Sequence, residues 1–433
     1  MNVADSHRVS SALDQLGYEL VHTPDDADVI VLNTCVVRQS AENKAYGRLS
    51  SIKPLKMNNP NLVINLMGCL VGVKPDPALQ KKFPYVDVFS SPSDPGPLVE
   101  YLMQRKQREV VNQETAARFG IMDEDFQLPG YDNDIRVAAF LPVVLGCSHA
   151  CTYCVIPYRR GVEESRPFQQ VLQEARNLVS KGVKEITLLG QIVDRYGKDL
   201  PDGQTLPALL REMNNIEGLM RIRFLTSHPN WMTDELLETV AEFPKICPHI
   251  EVPVQAGDDV VLKNMRRGYS TDDYRKLIGR IRSTIPGVSI ATDIIVGFPG
   301  ESEEQFQNTY NLLEELQLDV AHLARYSSRP NTVATRQMID DVPEKEKMRR
   351  FRLLEEQQER IVAEIHTGYL GKKVDVLFEE KVKTRWRGRT DTNKLVFAES
   401  GDDLRGKIEK VNISWTGPWS MIGKLDDSYN EEK

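Results

Sequence analysis

The chain has 433 residues, 40% of them hydrophobic and 27% charged, with a formal net charge of -8. That length accommodates two or three domains, and no apolar run approaches membrane-spanning length or reads as a signal peptide, so the expectation is a cytoplasmic protein with no membrane partner. Six cysteines are too few for a disulfide framework, and the acidic balance means that any nucleic-acid contact must come from a local basic patch.

The first predicted element is an amphipathic helix over residues 4–16, with Val9, Leu13 and Leu16 on one face and Gly17 as its stop. A parallel α/β unit wants a strand before such a helix, so the pattern predicts a strand, and with it a further cysteine, upstream of residue 1. Two short buried-strand runs follow, 28–32 and 62–66, and each leads into a cysteine, Cys35 and Cys69. Both cysteines should therefore lie on one edge of a parallel sheet, which favours a metal site over two unrelated core thiols. Residues 105–136 mix both charge signs with Pro129 and Gly130 and show little periodicity, as a linker does.

From residue 137 the pattern alternates strand and helix, as in a parallel sheet. The expected strands are 137–144, 185–189, 221–225, 249–254, 289–296 and 319–326. A helical face is formed by Val171, Leu172, Ala175, Leu178 and Val179, and Ser270 or Thr271 is placed to cap another helix. Six units fit in this span, whereas a closed eightfold barrel takes about 250 residues, so an open, partial barrel is expected, with its active site at the strands' C-terminal ends.

Directly after the first of these strands comes Gly146-Cys-Ser-His-Ala-Cys-Thr-Tyr-Cys154. Three thiolates at this spacing are one too few to close a metal site. A structural zinc site would need a fourth ligand, for which only His149 is at hand, and c-type haem attachment would need a histidine where Val155 stands. An iron-sulfur cube, which normally takes four cysteines, would be left with one iron free for a small molecule. Cys147, Cys151 and Cys154 are therefore expected to hold a catalytic [4Fe-4S] cluster, and their Cys-x3-Cys-x2-Cys spacing resembles the loop of the radical S-adenosylmethionine (SAM) enzymes, which implies SAM on the open iron. Cys247, outside any such group, reads as a buried free thiol.

After a charged helical stretch over 343–366, residues 372–425 turn to short β-type runs, as in a small antiparallel barrel. Within it Lys381, Lys383, Arg385, Arg387 and Arg389 occupy every second position around Trp386. On one extended strand all five would share a face, suited to a phosphate backbone with a base stacked on the ring. A solvated edge strand guarded by lysines is the plainer alternative.

Met1-Asn2, Asn33-Thr-Cys35, Gly68-Cys69, the three-cysteine loop through Arg160-Gly161, Leu189-Gly-Gln191, Thr226-Ser-His-Pro229, Val252-Pro-Val-Gln-Ala-Gly257, Thr292 to Glu301 and Gly388-Arg-Thr390 together resemble the radical SAM methylthiotransferases. The resemblance is strongest to the branch acting on N6-dimethylallyladenosine in tRNA. It implies an N-terminal methylthiotransferase domain (1–104), a linker (105–135), a partial (β/α)6 radical SAM barrel (136–366) and a small antiparallel C-terminal TRAM barrel (369–428). It implies methylthiolation of adenine carbon 2 next to the anticodon, two [4Fe-4S] clusters, two SAM, tRNA as substrate, an external electron donor, a sulfur donor and a monomeric enzyme. Cys35 and Cys69 would hold the auxiliary cluster with a third cysteine upstream of Met1. Gly190 and Gln191 would meet the methionine part of SAM, and Gly297 and Gly300 its nucleoside, while Ser227, His228, Gln255, Asp293 and Arg325 or Arg329 face the same mouth as cofactor or substrate contacts. Ile192 and Leu70-Val71 depart from the family's usual residues without removing a ligand. Two alternatives stay open: a sister enzyme acting on threonylcarbamoyladenosine in tRNA or on an aspartate of a small-subunit ribosomal protein, and, of another class, a non-catalytic iron-sulfur electron carrier.

Overall fold

Strand β2, Val63–Gly68, is buried along its whole length because it lies between two parallel neighbours, β1 (Val29–Thr34) and β3 (Val88–Ser90). A strand covered on both faces reads as the continuous apolar run seen in this sequence. The helix Asn2–Gln15 packs Val9 and Ala12 against Val63 and Met67 on one side of this sheet. The helix Gln39–Asn58 buries Ala45, Leu49 and Ile52 against Leu62, Ile64 and Leu66 on the other. The computed structural model describes residues 1–74, 76–107 and 136–426. The segment read as a linker falls outside them except at its start, where the helix Gly96–Gln107 continues through residue 105.

The middle domain carries two three-stranded parallel sheets. One is β4 (Ala138–Pro142), β7 (Glu185–Leu189) and β8 (Arg221–Leu225), and the other is β9 (His249–Glu251), β10 (Ser289–Val296) and β11 (Val320–Arg325). A parallel bridge between Ile222 and Ile246 joins them in chain order. A short antiparallel pair, β5 (Val144–Leu145) and β6 (Glu164–Ser165), flanks the cysteine loop. The helices between the strands are strongly amphipathic, and Val171, Leu210, Tyr274 and Leu312 close over Ile186, Ile222, Ile250 and Ile290 in one core. Ser270 caps the helix Thr271–Thr284 through a capping box with Asp273.

The C-terminal domain is a closed five-stranded barrel of β12 (Lys373–Val382), β13 (Arg385–Thr390), β14 (Leu395–Glu399), β15 (Ile408–Thr416) and β16 (Met421–Leu425). It is mixed rather than wholly antiparallel, because β14 and β16 run parallel. It docks on the end of the middle domain opposite the cysteine loop. Arg221 donates to the carbonyls of Arg389 and Asp375, Arg223 to those of Thr390 and Asp391, and Lys394 pairs with Asp319. Arg221 opens β8 and Asp319 precedes β11, so these contacts mark the strands' N-terminal ends. No helix among the described residues is long and apolar enough to cross a membrane.

Candidate active site

The cysteine loop leaves β5 through Gly146, whose φ is +63° and where a Cβ would lie 1.9 Å from the carbonyl oxygen of Val162, so only glycine fits. The loop is then tied at several points. The Cys147 amide donates to Gly161, the Thr152 amide to Met265 and the Thr152 hydroxyl to Asn264. Burial pushes the Cys154 thiol up to about 12, with the neighbouring Cys151 and Cys147 adding to it, and burial also raises Cys147. Cys151 behaves differently. Burial raises it, but hydrogen bonds from His149 and the charge of Arg267 bring it down to about 7. Among the described residues no three side chains are placed to hold a single metal ion. A cube, in which each thiolate takes a different iron, keeps its sulfurs further apart than one ion does, and thiolate ligation relieves the cost that burial places on these thiols. The donor set fits a cluster.

A second group of side chains faces the loop. The oxygen Oδ1 of Asp194, the Ser227 hydroxyl, and Nε2 of both His149 and His228 are buried without a protein partner, an arrangement that costs stability unless a ligand completes it. The other Asp194 oxygen accepts from the His228 amide at 3.1 Å, and burial raises its carboxyl to about 7. Burial holds His228 neutral, down to about 2. Its ring lies 4.7 Å from that of His149 and 4.7 Å from that of Trp231. Gly190 directly follows β7 here, and a Cβ at this position would crowd Val193 at 3.0 Å and Val144 at 3.2 Å.

Between the barrel mouth and the N-terminal domain lies a cavity of about 250 Å³. Cys154, Gln255, Asp293, His322 and Arg325 line it from the barrel, and Val37 and Arg38 from the N-terminal domain. Below it Glu251 is raised to about 7 by burial and by Asp293, which burial raises in turn. Gln255 takes a φ of +78° and bridges to Ile294, which points strain at the mouth.

The two domains interlock here. Val155, next to Cys154, packs in the N-terminal core with Val36, Cys69 and Leu70. Arg160 reaches from the loop's far end to Asp5 and Asn2, each at 2.8 Å, and Arg329 reaches Glu42 at 2.8 Å and Gln39 at 2.9 Å. Cys35 and Cys69 follow paired positions of β1 and β2, and the Cys69 amide donates to Thr34 at 3.0 Å. Burial raises the Cys69 thiol, against the charge and hydrogen bond of Arg160. These two thiols are two of the three that an open cluster needs.

Other expected positions fall differently. Gly297 and Gly300 both have positive φ and do not line the cavity; the Gly297 amide donates to Glu301, a Cβ there would strike Lys347 at 2.3 Å, and the Gly300 amide donates to Asp341. Their glycines are required by this turn. Arg325 at the cavity rim pairs with Glu344. The basic stripe is not one strand. Lys383, at a φ of +57°, turns the chain between β12 and β13, so Lys381 lies opposite Trp386 across a hairpin. Only Arg385, Arg387 and Arg389 share an outward face, and each meets a carboxylate, from Glu399, Glu380 and Glu379 respectively. Trp386 is 4% exposed and points inward, so it offers no stacking face; the exposed rings of this barrel are Trp415 at 51% and Trp419 at 63%. Cys247 is a buried free thiol, as expected.

The sequence alone does not single out Arg267, Asp194 or His322 as site residues. Asp194 was findable, since it lies three residues beyond Gln191 at the end of β7. Arg267 was not, because its partner is 116 residues away.

Residues 141–313 match the radical SAM superfamily, and residues 1–91 match the Uncharacterized protein family UPF0004. The chain is 46% identical over 428 residues to the tRNA-2-methylthio-N(6)-dimethylallyladenosine synthase of Roseiflexus sp., covering 98% of this chain and 87% of that one. Its identity to the synthase of the same name from Herpetosiphon aurantiacus is 44%, over 98% and 95% of the two chains. For Chloroflexus aurantiacus it is 44%, over 100% and 91%. Among solved structures, a radical S-adenosylmethionine methyltransferase from Kitasatospora setae superposes with a TM-score of 0.56 at 14% identity, covering 76% of this chain and 73% of that one, which is a likeness of fold.

Proposed function

The chain belongs to the tRNA-2-methylthio-N(6)-dimethylallyladenosine synthase family of radical SAM enzymes, and from that premise we propose that it replaces the hydrogen on carbon 2 of N6-dimethylallyladenosine in tRNA by a methylthio group, using two SAM and two [4Fe-4S] clusters. The observation that carries this reading is the three-cysteine loop opening onto a cavity whose opposite wall belongs to the domain bearing Cys35 and Cys69.

An aromatic C–H of this kind has no acidic proton that a side chain can remove near neutral pH. When bound, a cluster with SAM on its open iron supplies a 5'-deoxyadenosyl radical, and the protein's part is binding, orientation and exclusion of water. Cys147, Cys151 and Cys154 would hold three irons. The unpartnered atoms of Asp194, Ser227 and His228, beside Gly190 and Gln191, suit the ammonium and carboxylate of a methionine. Gln255, Asp293 and His322 offer hydrogen bonds to an adenine edge, and Arg38 offers charge to a flanking phosphate. Cys35 and Cys69 would give two thiolates to the second cluster, and this sequence holds no further cysteine in that domain. The outward arginines of β13 would grip the RNA away from the reacting base. An external electron donor and a sulfur donor complete the requirement, and a monomeric enzyme is sufficient for it.

The test is nucleoside mass spectrometry after anaerobic reaction with two tRNAs, one bearing dimethylallyladenosine and the other threonylcarbamoyladenosine. Methylthio product on the first alone is expected. Product on the second alone would assign the chain to the sister activity.

A further inference from the structure

We propose that Arg267 sets the reduction potential of the cluster on Cys147, Cys151 and Cys154, through a charged N–H···S bond to the Cys151 sulfur; the inference rests on the functional reading above. Arg267 is 5% exposed. Its Nη1 donates to Cys151 Sγ at 3.2 Å, its Nη2 to the Pro253 carbonyl at 3.0 Å and its Nε to the Tyr269 hydroxyl at 2.9 Å. Tyr269 is itself fixed, because its hydroxyl lies 2.8 Å from the Val254 carbonyl. The guanidinium thus has two neutral anchors and one sulfur; among the described residues no carboxylate forms a direct ion pair with it, although its charge reaches Asp293. A buried cation without a directly paired counter-charge is expensive. The negative charge that completes this site is that of the thiolate-ligated cluster.

The consequence for electron transfer follows from charge. A low-potential one-electron donor gives up one electron and the cluster gains it, with no bond made or broken, so the reduced form carries one more negative charge. Arg267 attracts that form more strongly than the oxidised one, and in a buried site the attraction is weakly screened. Hydrogen bonds to the sulfurs and net charge are among the factors that set such potentials. Arg267 therefore makes the cluster easier to reduce, and the rigid anchoring by Pro253 and Tyr269 keeps the donor on Cys151.

The test is potentiometric titration followed by electron paramagnetic resonance on anaerobically reconstituted protein. A Cys35→Ala, Cys69→Ala background leaves only the barrel cluster to report. Arg267→Gln is expected to retain the wild-type iron and sulfide content while lowering the ratio of reduced to oxidised cluster at a fixed potential by about tenfold, a shift of about 59 mV for a one-electron couple. Arg267→Lys keeps the charge but loses the fork, and is expected to fall between the two. If Arg267→Gln fails to assemble a cluster, the lysine variant decides. A wild-type midpoint in whichever variant assembles overturns the inference. Absence of any cluster in the parent background would instead overturn the functional reading on which it stands.

Discussion

Asp194 shows how one buried group ties the pocket beside the cysteine loop to pH. Its carboxyl is raised to about 7 by burial, above an unfolded value near 4. The folded protein therefore keeps a proton that the unfolded chain has lost. Its contribution to stability is fully present below the unfolded value and is lost as pH rises through about 7. Asp194→Asn keeps an acceptor for the His228 amide and removes the ionisation. The gain in melting temperature of the asparagine variant over the parent should therefore grow from about pH 5 to about pH 8, measured on protein without SAM. A gain that is flat with pH would show that this carboxyl is not held in a desolvated pocket. Comparing two variants matters because buried neutral His228 has the opposite dependence, gaining stability as pH rises.

The elements that carry the three-cysteine loop also join it to the N-terminal helix Asn2–Gln15, through a buried ion pair. Arg160 and Asp5 are nearly inaccessible, at 4% and 0%. Removing one partner of a buried pair leaves an uncompensated charge, at a cost of about 3–5 kcal/mol. Arg160→Met should therefore destabilise the N-terminal domain by an amount of that order. Hydrogen exchange would read it as faster exchange in β1 and β2 with β7 and β8 unchanged. The double variant Arg160→Met, Asp5→Leu should recover much of the loss, since an apolar pair of similar volume is often as stable. Equal exchange in parent and single variant would remove Arg160 from its role as the link. Both cysteine groups were readable from the sequence because each follows its strand directly in the chain. The link was not, because Arg160 meets Asp5 across 155 positions.

For the whole molecule, the cysteine loop and the C-terminal barrel lie at opposite ends of the middle domain. Its five-residue strands β7 and β8, at about 3.3 Å per residue, separate these ends by roughly 16 Å. On the proposed function, the C-terminal barrel would contact RNA at a distance from the reacting adenine. If Arg385, Arg387 and Arg389 meet phosphates, the triple alanine variant should lower the slope of log affinity for tRNA against log salt by about 2 to 3. SAM cleavage without tRNA should not change. An unchanged slope would mean that Glu379, Glu380 and Glu399 keep these arginines occupied. The three-part architecture and the six-stranded open barrel were legible, because alternating strand and helix patterns repeat on a local scale. The β12–β13 hairpin was not. Alternation of basic residues continues through its turn, and Lys383 takes the left-handed conformation without a glycine to announce it. The inward turn of Trp386 follows from the same hairpin, since alternate residues Trp386, Gly388 and Thr390 fill the barrel.

The central claim is that Cys147, Cys151 and Cys154 leave one iron open for SAM at the mouth of the barrel. It is tested by the electron paramagnetic resonance spectrum of the reduced cluster, recorded with and without SAM in the Cys35→Ala, Cys69→Ala background, where only the barrel cluster reports. A signal that shifts when SAM is added, is lost on further Cys154→Ala substitution, and accompanies formation of 5'-deoxyadenosine is expected. A reduced-cluster signal that SAM leaves unchanged, with no nucleoside released, would contradict it and return the chain to the class of electron carriers.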